Sequence, residues 1–333
     1  MATQPARMTD AELSSARLEI DDPLALPNLS LERPPGDDPP EIVGEYHLPQ
    51  GHDLLWCCHC QSHSHRNGFA VTNSTGQQYL LGSECGPKHY GFAFEFAARD
   101  HKAKVKRKGV LDRLRAIVAT APAVKATIQE ILTSEGLRVI DAKRRELHGA
   151  SSSAFHALAT SVKTEMPLYE MVQVRDIAAE QRRDEQLPDD ETGPPIYRWE
   201  RMSVGNVAGA GLLRHSYYCR DQLLGLSGAM DRVVAIHNEF TDRFDIKELT
   251  KVVREAEGAW AAAQAAIEEA ELADAFFTGG NLNRLERWSR DSSRYFTMLA
   301  EGSNLVVDTK GKRITIAPLH RTTLPRLPRM KVD

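Results

Sequence analysis

No run of about 18 apolar residues occurs anywhere in the 333-residue chain, so hydropathy offers no transmembrane helix. The opening MATQPARMTDAELSS lacks the basic-then-apolar order of a secretory signal, and the expectation is a cytoplasmic protein with no membrane partner. Also missing are a Walker loop, a dinucleotide fingerprint and a GxSxG elbow. The glycine-rich GNVAGAG at 205–211 lacks the required spacing and the following Lys and Ser/Thr, and reads as a turn or a close-packing site. With no catalytic constellation, an enzyme is not expected. Cysteine is scarce: five in all, an odd number for a secreted disulfide framework. Four of them fall between positions 57 and 85, and clustering of that kind argues for metal before disulfide.

Charge is unevenly spread. The formal net charge of −4 hides segments of alternating sign, because residues 1–50 carry 3 basic and 10 acidic groups while residues 51–150 carry 15 and 9. Residues 151–300 are again acidic and residues 301–333 basic. The basic stretch directly after the cysteine cluster is the notable feature.

The pattern along the chain predicts a mostly helical α+β protein with a small zinc-bound β-hairpin lobe and an antiparallel helical hairpin within a bundle. Residues 1–50, dense in prolines and acids, read as a disordered segment. Residues 51–92 form the zinc module, with strands at Phe69–Thr72 and Gln78–Leu81 around the turn-forming Asn73–Gly76. Residues 93–150 are basic and helical, with Val110, Leu111, Leu114 and Ile117 at helical spacing and Val124, Ile128 and Ile131 following a break at Pro122. In 151–215, LYEMVQV and IYRWERMSV read as strands flanking the acidic loop DEQLPDDETGPP. Residues 216–300 hold two seams, one through Leu223, Leu226, Met230, Val233, His237 and Phe240, the other through Ile246, Leu249, Val253, Ala256, Trp260, Ala263, Ile267 and Ala270. The short link 241–245 folds them against each other, with an intermolecular coiled coil as the competing reading. A helix at 281–295 follows, and 301–333 holds a hairpin turning at Lys310 and Gly311, then a basic tail.

The segment CCHCQSHSHRNGFAVTNSTGQQYLLGSECGPKHYG has the parts of a tetrahedral structural zinc site. Cys57 and Cys60, spaced CxxC, let one knuckle aim two thiolates at one ion. Cys85 and His89, four residues apart on a helix start that Ser83 can cap, present a thiolate and an imidazole on one face. Cys58 in place of Cys57, or His63 or His65 in place of His89, are the open alternatives. Four filled positions leave no open coordination site, so the metal would be structural. The arrangement resembles a treble-clef zinc finger, and GQQYLLGSECGPKHYG resembles a cysteine module found in many uncharacterised phage, plasmid and other mobile-element proteins. The resemblance covers about residues 54–92. It implies zinc binding, with Cys57, Cys60, Cys85 and His89 at the matching positions, and no particular activity.

Next comes RDHKAKVKRKGVLDRLR. A helix bearing Arg99, Lys102, Lys104, Lys106, Arg107, Lys108, Arg113 and Arg115 would lay a basic stripe beside the zinc lobe, suited to the phosphates of DNA or RNA. The later cations Lys310, Lys312, Arg313, Arg321, Arg326, Arg329 and Lys331 could add to it. The alternative is a zinc-stabilised helical scaffold whose seams bind a protein partner or another copy of the chain. Burial of the seams within one chain would count against that alternative. Cys219 reads as a buried thiol and Glu268, Glu269 and Glu271 as a solvated face.

Overall fold

The computed structural model describes residues 8–35, 40–62, 64–186, 188, 193–213, 218–239, 241–291 and 294–330. His63, Phe240, Lys331, residues 36–39 and the acidic stretch 189–192 lie outside the described residues. The fold is mixed α+β and dominated by helix, as the sequence pattern predicts. Two compact units are present: Met1–Ala119 with Val233–Arg254 and Lys331–Asp333, and Thr120–Arg232 with Glu255–Met330.

The first unit opens with a short helix α1 (Asp10–Ser15), started by a capping box in which the Thr9 side chain accepts from the Glu12 amide and Glu12 reaches back to Thr9. Strands β1 (Leu29–Ser30) and β2 (Glu41–His47) follow, then β3 (Leu55–Trp56) and β4 (Ser64–His65), then β5 (Asn67–Thr72) and β6 (Gln78–Gly82). A four-stranded sheet runs in the order β1-β6-β5-β2, and β3 and β4 form a small hairpin beside it in the chain. The β5–β6 turn is built as the sequence suggests: the Asn73 side chain accepts from the Thr75 and Gln77 amides, and Gly76 adopts φ 81°. Helices α2 (Cys85–Tyr90) and α3 (Phe92–Thr133) come next.

Two expectations fail here. Part of the stretch read as disordered is a strand: β2 alternates buried Ile42, Gly44 and Tyr46 with more exposed neighbours and pairs with β5 along its length. The lobe around the cysteine cluster draws on residues beyond 51–92: its core joins Ile42 and Tyr46 of β2 and Phe94 of α3 to Ala70, Val71, Leu80 and Leu81. Nor does Pro122 end a helix, since it lies inside the 42-residue α3. Proline's fixed φ is helical and its cost is one lost amide bond with crowding of the preceding turn. Burial of Ile117, Ala121, Val124 and Ile128 around it offsets that cost.

The second unit contains α4 (Glu135–Ala150) and α5 (Ser152–Lys163), each started by a serine whose hydroxyl accepts an amide, Ser134 from Leu137 and Ser151 from Ala154. Strand β7 (Leu168–Arg175), helix α6 (Ile177–Asp184) and strand β8 (Tyr197–Gly205) follow, with β7 and β8 forming the antiparallel ribbon read from LYEMVQV and IYRWERMSV. The seams are helices α7 (Tyr218–Asn238) and α8 (Ile246–Glu271), whose stretch Val233–Arg254, with the 3-10 turn at Thr241–Arg243, belongs to the first unit; Arg232 and Glu255 of the second meet at 3.6 Å. Leu223, Leu226, Met230, Val233, Leu249, Val253, Ala256, Ala263 and Ile267 are all fully buried. Helix α9 (Gly279–Ser289) is shorter than expected, because Phe296–Glu301 forms strand β9, pairing with β10 (Asn304–Thr309), which pairs with β11 (Lys312–Ile316). Lys310 and Gly311, both at positive φ, make the β10–β11 turn. The tail beyond β11 packs rather than waving free: Leu324 and Leu327 are buried, Pro328 O accepts from the Trp260 indole at 3.1 Å, and Arg326 pairs with Glu271 at 2.8 Å. GNVAGAG is a close-packing site. Gly209 sits at φ 64° where a Cβ would meet the Phe276 amide nitrogen at 2.3 Å, and the buried Asn281 side chain receives the Ala208 amide at 2.9 Å.

One ion pair in the first unit changes the reading of the basic helix. Arg107 clasps the buried Asp10 carboxylate through Nε (2.5 Å) and Nη2 (2.7 Å) and donates to the Thr241 and Phe244 carbonyls. Burial alone would raise the Asp10 carboxyl, but Arg107's hydrogen bonds and charge hold it below its ordinary value. A depressed folded-state value stabilises the fold at pH above the ordinary carboxyl range of about 4, and that contribution is lost as pH falls through the folded value. Arg107→Ala is expected to lower stability by about 2–4 kcal/mol near neutral pH in urea denaturation, with the difference from wild type shrinking below about pH 4. Lys106→Ala should change it by less than about 0.5 kcal/mol.

Candidate metal centre

The knuckle occupies the loop between β3 and β4, whose pairing sets Leu55 opposite His65 and Trp56 opposite Ser64. Within it the Gln61 amide donates to Cys57 O at 2.9 Å, and Gln61 itself takes a left-handed φ of 50°. That tight turn brings the Cys57 and Cys60 thiols to the same side. The Cys58 amide donates to Leu80 O at 3.0 Å, tying the knuckle to β6. The chain leaves β6 directly into α2, which begins at Cys85. Ser83 does not cap it; Glu84 holds the cap position in helical conformation with no side-chain bond. Gly91, at φ 55°, ends the helix and donates to Pro87 O at 2.8 Å.

These elements bring together Cys57, Cys60 and Cys85, whose sulfurs all lie within 4.8 Å of one another; Cys57 is buried and the other two half-buried. Three thiols at that separation have the donor chemistry and reach of a metal site and could hold one ion. Burial pushes the Cys85 thiol up to about 12, and the adjoining Cys57 and Cys60 sulfurs add to the rise. Among these three sulfurs the Cys85 thiol resists ionising on its own. A divalent cation between them reverses that cost, since its charge stabilises each thiolate.

The neighbouring donors separate clearly. Cys58 turns into the core and its thiol donates to Ser30 O at 3.3 Å, with burial raising its value, so it does not substitute for Cys57. His65 is engaged with the Tyr46 hydroxyl at 2.6 Å and sits in β4. His63 lies outside the described residues. His89 is one turn beyond Cys85 on α2, its ring 4.0 Å from that of His59, which lies inside the knuckle, and its Nε2 is 3.3 Å from Pro34 O. Neither histidine nitrogen belongs to the group of atoms within 4.8 Å. Burial, then the nearby His89 and Arg33, make His59 harder to protonate.

The basic residues of α3 do not form one uniform stripe. Arg107 is the buried partner of Asp10, Lys108 donates to Ser14 O at 2.8 Å and pairs with Asp112, and Lys104 pairs with Asp100 at 2.9 Å. Arg99, Lys102 and Lys106 are exposed and, at i, i+3 and i+7, share one side of the helix. Arg113 falls in phase with them but is half-buried, and the exposed Arg115 is about half a turn out of phase. Phe92 and Phe96, 75% and 62% exposed, precede the three free cations on the same side. Phe92 was legible in the sequence as an aromatic beside the basic helix; Phe96 and the left-handed Gln61, which only a φ value reveals, were not.

No protein-family model matches the chain, and comparison with curated proteins and with solved structures found no significant match. Among the described residues no helix is long and apolar enough to cross a membrane.

Gly86 is the tightest point of the centre: a Cβ there would sit 2.3 Å from the Phe94 ring. Gly86→Ala should therefore cost about 1–3 kcal/mol through overpacking. Gly109, in the interior of α3 with nothing within 4 Å of a Cβ, should behave oppositely. Gly109→Ala is expected to gain about 0.4–1 kcal/mol. Thermal melting of the two variants beside wild type checks both signs.

Proposed function

We propose that the chain is a zinc-stabilised nucleic-acid-binding protein: Zn²⁺ held by Cys57, Cys60, Cys85 and His89 fixes a treble-clef-like lobe, and the adjoining part of α3 contacts phosphates. The observation that carries the zinc reading is the group of three sulfurs within 4.8 Å of one another, assembled from a CxxC knuckle and a helix start. Thiolate-rich tetrahedral sites without an open position favour Zn²⁺ over harder cations, which prefer oxygen donors. His89 is the fourth ligand favoured by its place one turn after Cys85 and by its contact with the knuckle residue His59. The zinc is structural, and its apparent binding free energy, on the order of 10–16 kcal/mol in small fingers, is available to hold the knuckle against α2.

The nucleic-acid part rests on Arg99, Lys102 and Lys106, which point to solvent on one side of α3 with Phe92 and Phe96 beside them. Exposed lysines and arginines in register bind a phosphate backbone by releasing counterions, without reading sequence. Against the scaffold reading stands the burial of most described seam residues of α7 and α8, among them Leu223, Leu226, Met230, Leu249, Val253 and Ala256.

Purified protein should contain about one zinc per chain. Cys85→Ala and His89→Ala should lose it, and Cys58→Ala should keep it. Full zinc in His89→Ala with loss in His59→Ala would move the fourth ligand to His59. Binding to DNA or RNA should weaken steeply with salt, and replacing Arg99, Lys102 and Lys106 by alanine should reduce the log–log salt slope by about 2–3. An unchanged slope would remove α3 from the interface.

A further inference from the structure

The ribbon of β7 and β8 carries a second surface of different character. Its register sets Arg175 opposite Tyr197 and Met171 opposite Arg201, so these residues share one face with Trp199 and Tyr169. The remaining two positions of that face, Gln173 and Ser203, are neutral. The opposite face is held by α9, where Arg287 binds Glu170. The first face is therefore left outward, with Tyr197 57% and Trp199 62% exposed. It bears two guanidinium groups and no carboxylate of its own.

Two of the cations on and beside this face, Arg201 and Arg294, are held by aromatic rings. The Arg201 guanidinium lies 3.8 Å from the centre of the Tyr169 ring, and Arg294 lies 4.0 Å from that of Trp288. Both arginines line one cavity of about 300 Å³, which also exposes Thr160, Ser161 and Thr164. The carboxylates nearby are accounted for: Glu180 binds Arg175 at 2.9 Å, and Asp291 stands 3.9 Å from Arg294. Among the described residues no carboxylate pairs with Arg201. Burial holds Arg294 below its ordinary value, opposed by the charge of Asp291, which also lines the recess, and assisted by that of Arg201.

Flat, exposed rings flanked by fixed guanidiniums complement a polyanion whose bases are unpaired, since a duplex buries the base faces that such rings would stack on. We infer that the outer face of the β7–β8 ribbon binds single-stranded nucleic acid, with bases stacking on Tyr197 and Trp199 and a phosphate seated in the recess between Arg201 and Arg294. This surface is separate from the α3 cations and stands whether or not they bind.

The test uses full-length, zinc-loaded protein and labelled oligothymidine and oligouridine of about 12 nucleotides, beside a hairpin duplex, at about 50 mM salt. Fluorescence anisotropy is measured on wild type, the double variant Tyr197→Ala/Trp199→Ala, Arg201→Gln and the α3 triple-alanine variant, with melting curves confirming that each is folded. The double variant should bind the single strand about tenfold or more weakly. Arg201→Gln should weaken it severalfold, and the α3 variant should retain the difference between single strand and duplex. Preference for one oligomer then tells DNA from RNA. Affinity in the double variant within twofold of wild type, tighter binding of duplex than of single strand by wild type, or no wild-type binding of either oligomer would overturn the inference. Loss of all single-strand binding in the folded α3 variant, whose ribbon is intact, would overturn it as well.

Discussion

Three sulfurs drawn within 4.8 Å of one another are the constraint around which the knuckle and the start of α2 are arranged. Cys57 and Cys60 come from a turn between two very short strands, and Cys85 from the first residue of a short helix that no side chain caps. Neither element would hold its shape in isolation, since a two-residue ribbon and a helix of this length are each marginal in water. What positions them is the sheet beneath. Cys58 faces the opposite way from its neighbours, into the core, and its amide and thiol are bound to Leu80 and Ser30. Gly86 lets Phe94 come up against α2, and Phe69 meets Phe94 edge-on at 5.6 Å. The sulfurs are thus brought together by packing that the hydrophobic core supplies, and a cation bound there would lock an arrangement already present.

That dependence explains why part of the molecule was legible in the sequence and part was not. The knuckle and the Cys85 helix start were readable because metal-ligand spacing is local. So were the β5–β6 turn at Asn73, the ribbon from LYEMVQV and IYRWERMSV, the β10–β11 turn at Lys310 and Gly311, and the two seams, each a short-range pattern of period two or 3.6. The role of β2 was not readable, because its alternation of Ile42, Gly44 and Tyr46 includes a glycine and stands among prolines and acids. Pro122 misled for a related reason: the buried residues on either side of it outweigh a local penalty. The capping box at Thr9 and Glu12 was a signal present in the sequence and passed over.

Charge shows the same limit most clearly. Arg107 stands in a run of cations and looks interchangeable with Lys106, yet it binds a carboxylate 97 residues earlier in the chain and two carbonyls far later, while Lys106 faces solvent. A count of basic residues cannot separate a cation that holds the fold from one that is free for a polyanion. The face of the β7–β8 ribbon was hidden for the converse reason. Its strands were recognised, but which side would be covered depended on α9, and with that settled the exposed rings and guanidiniums fall together.

The central claim, a zinc ion bound by three thiolates and one imidazole, is tested most directly by zinc K-edge X-ray absorption on the purified protein. The account predicts about three sulfur neighbours near 2.3 Å and one nitrogen near 2.0–2.1 Å. A shell made only of oxygen and nitrogen, four sulfurs, or no bound zinc at all would contradict it.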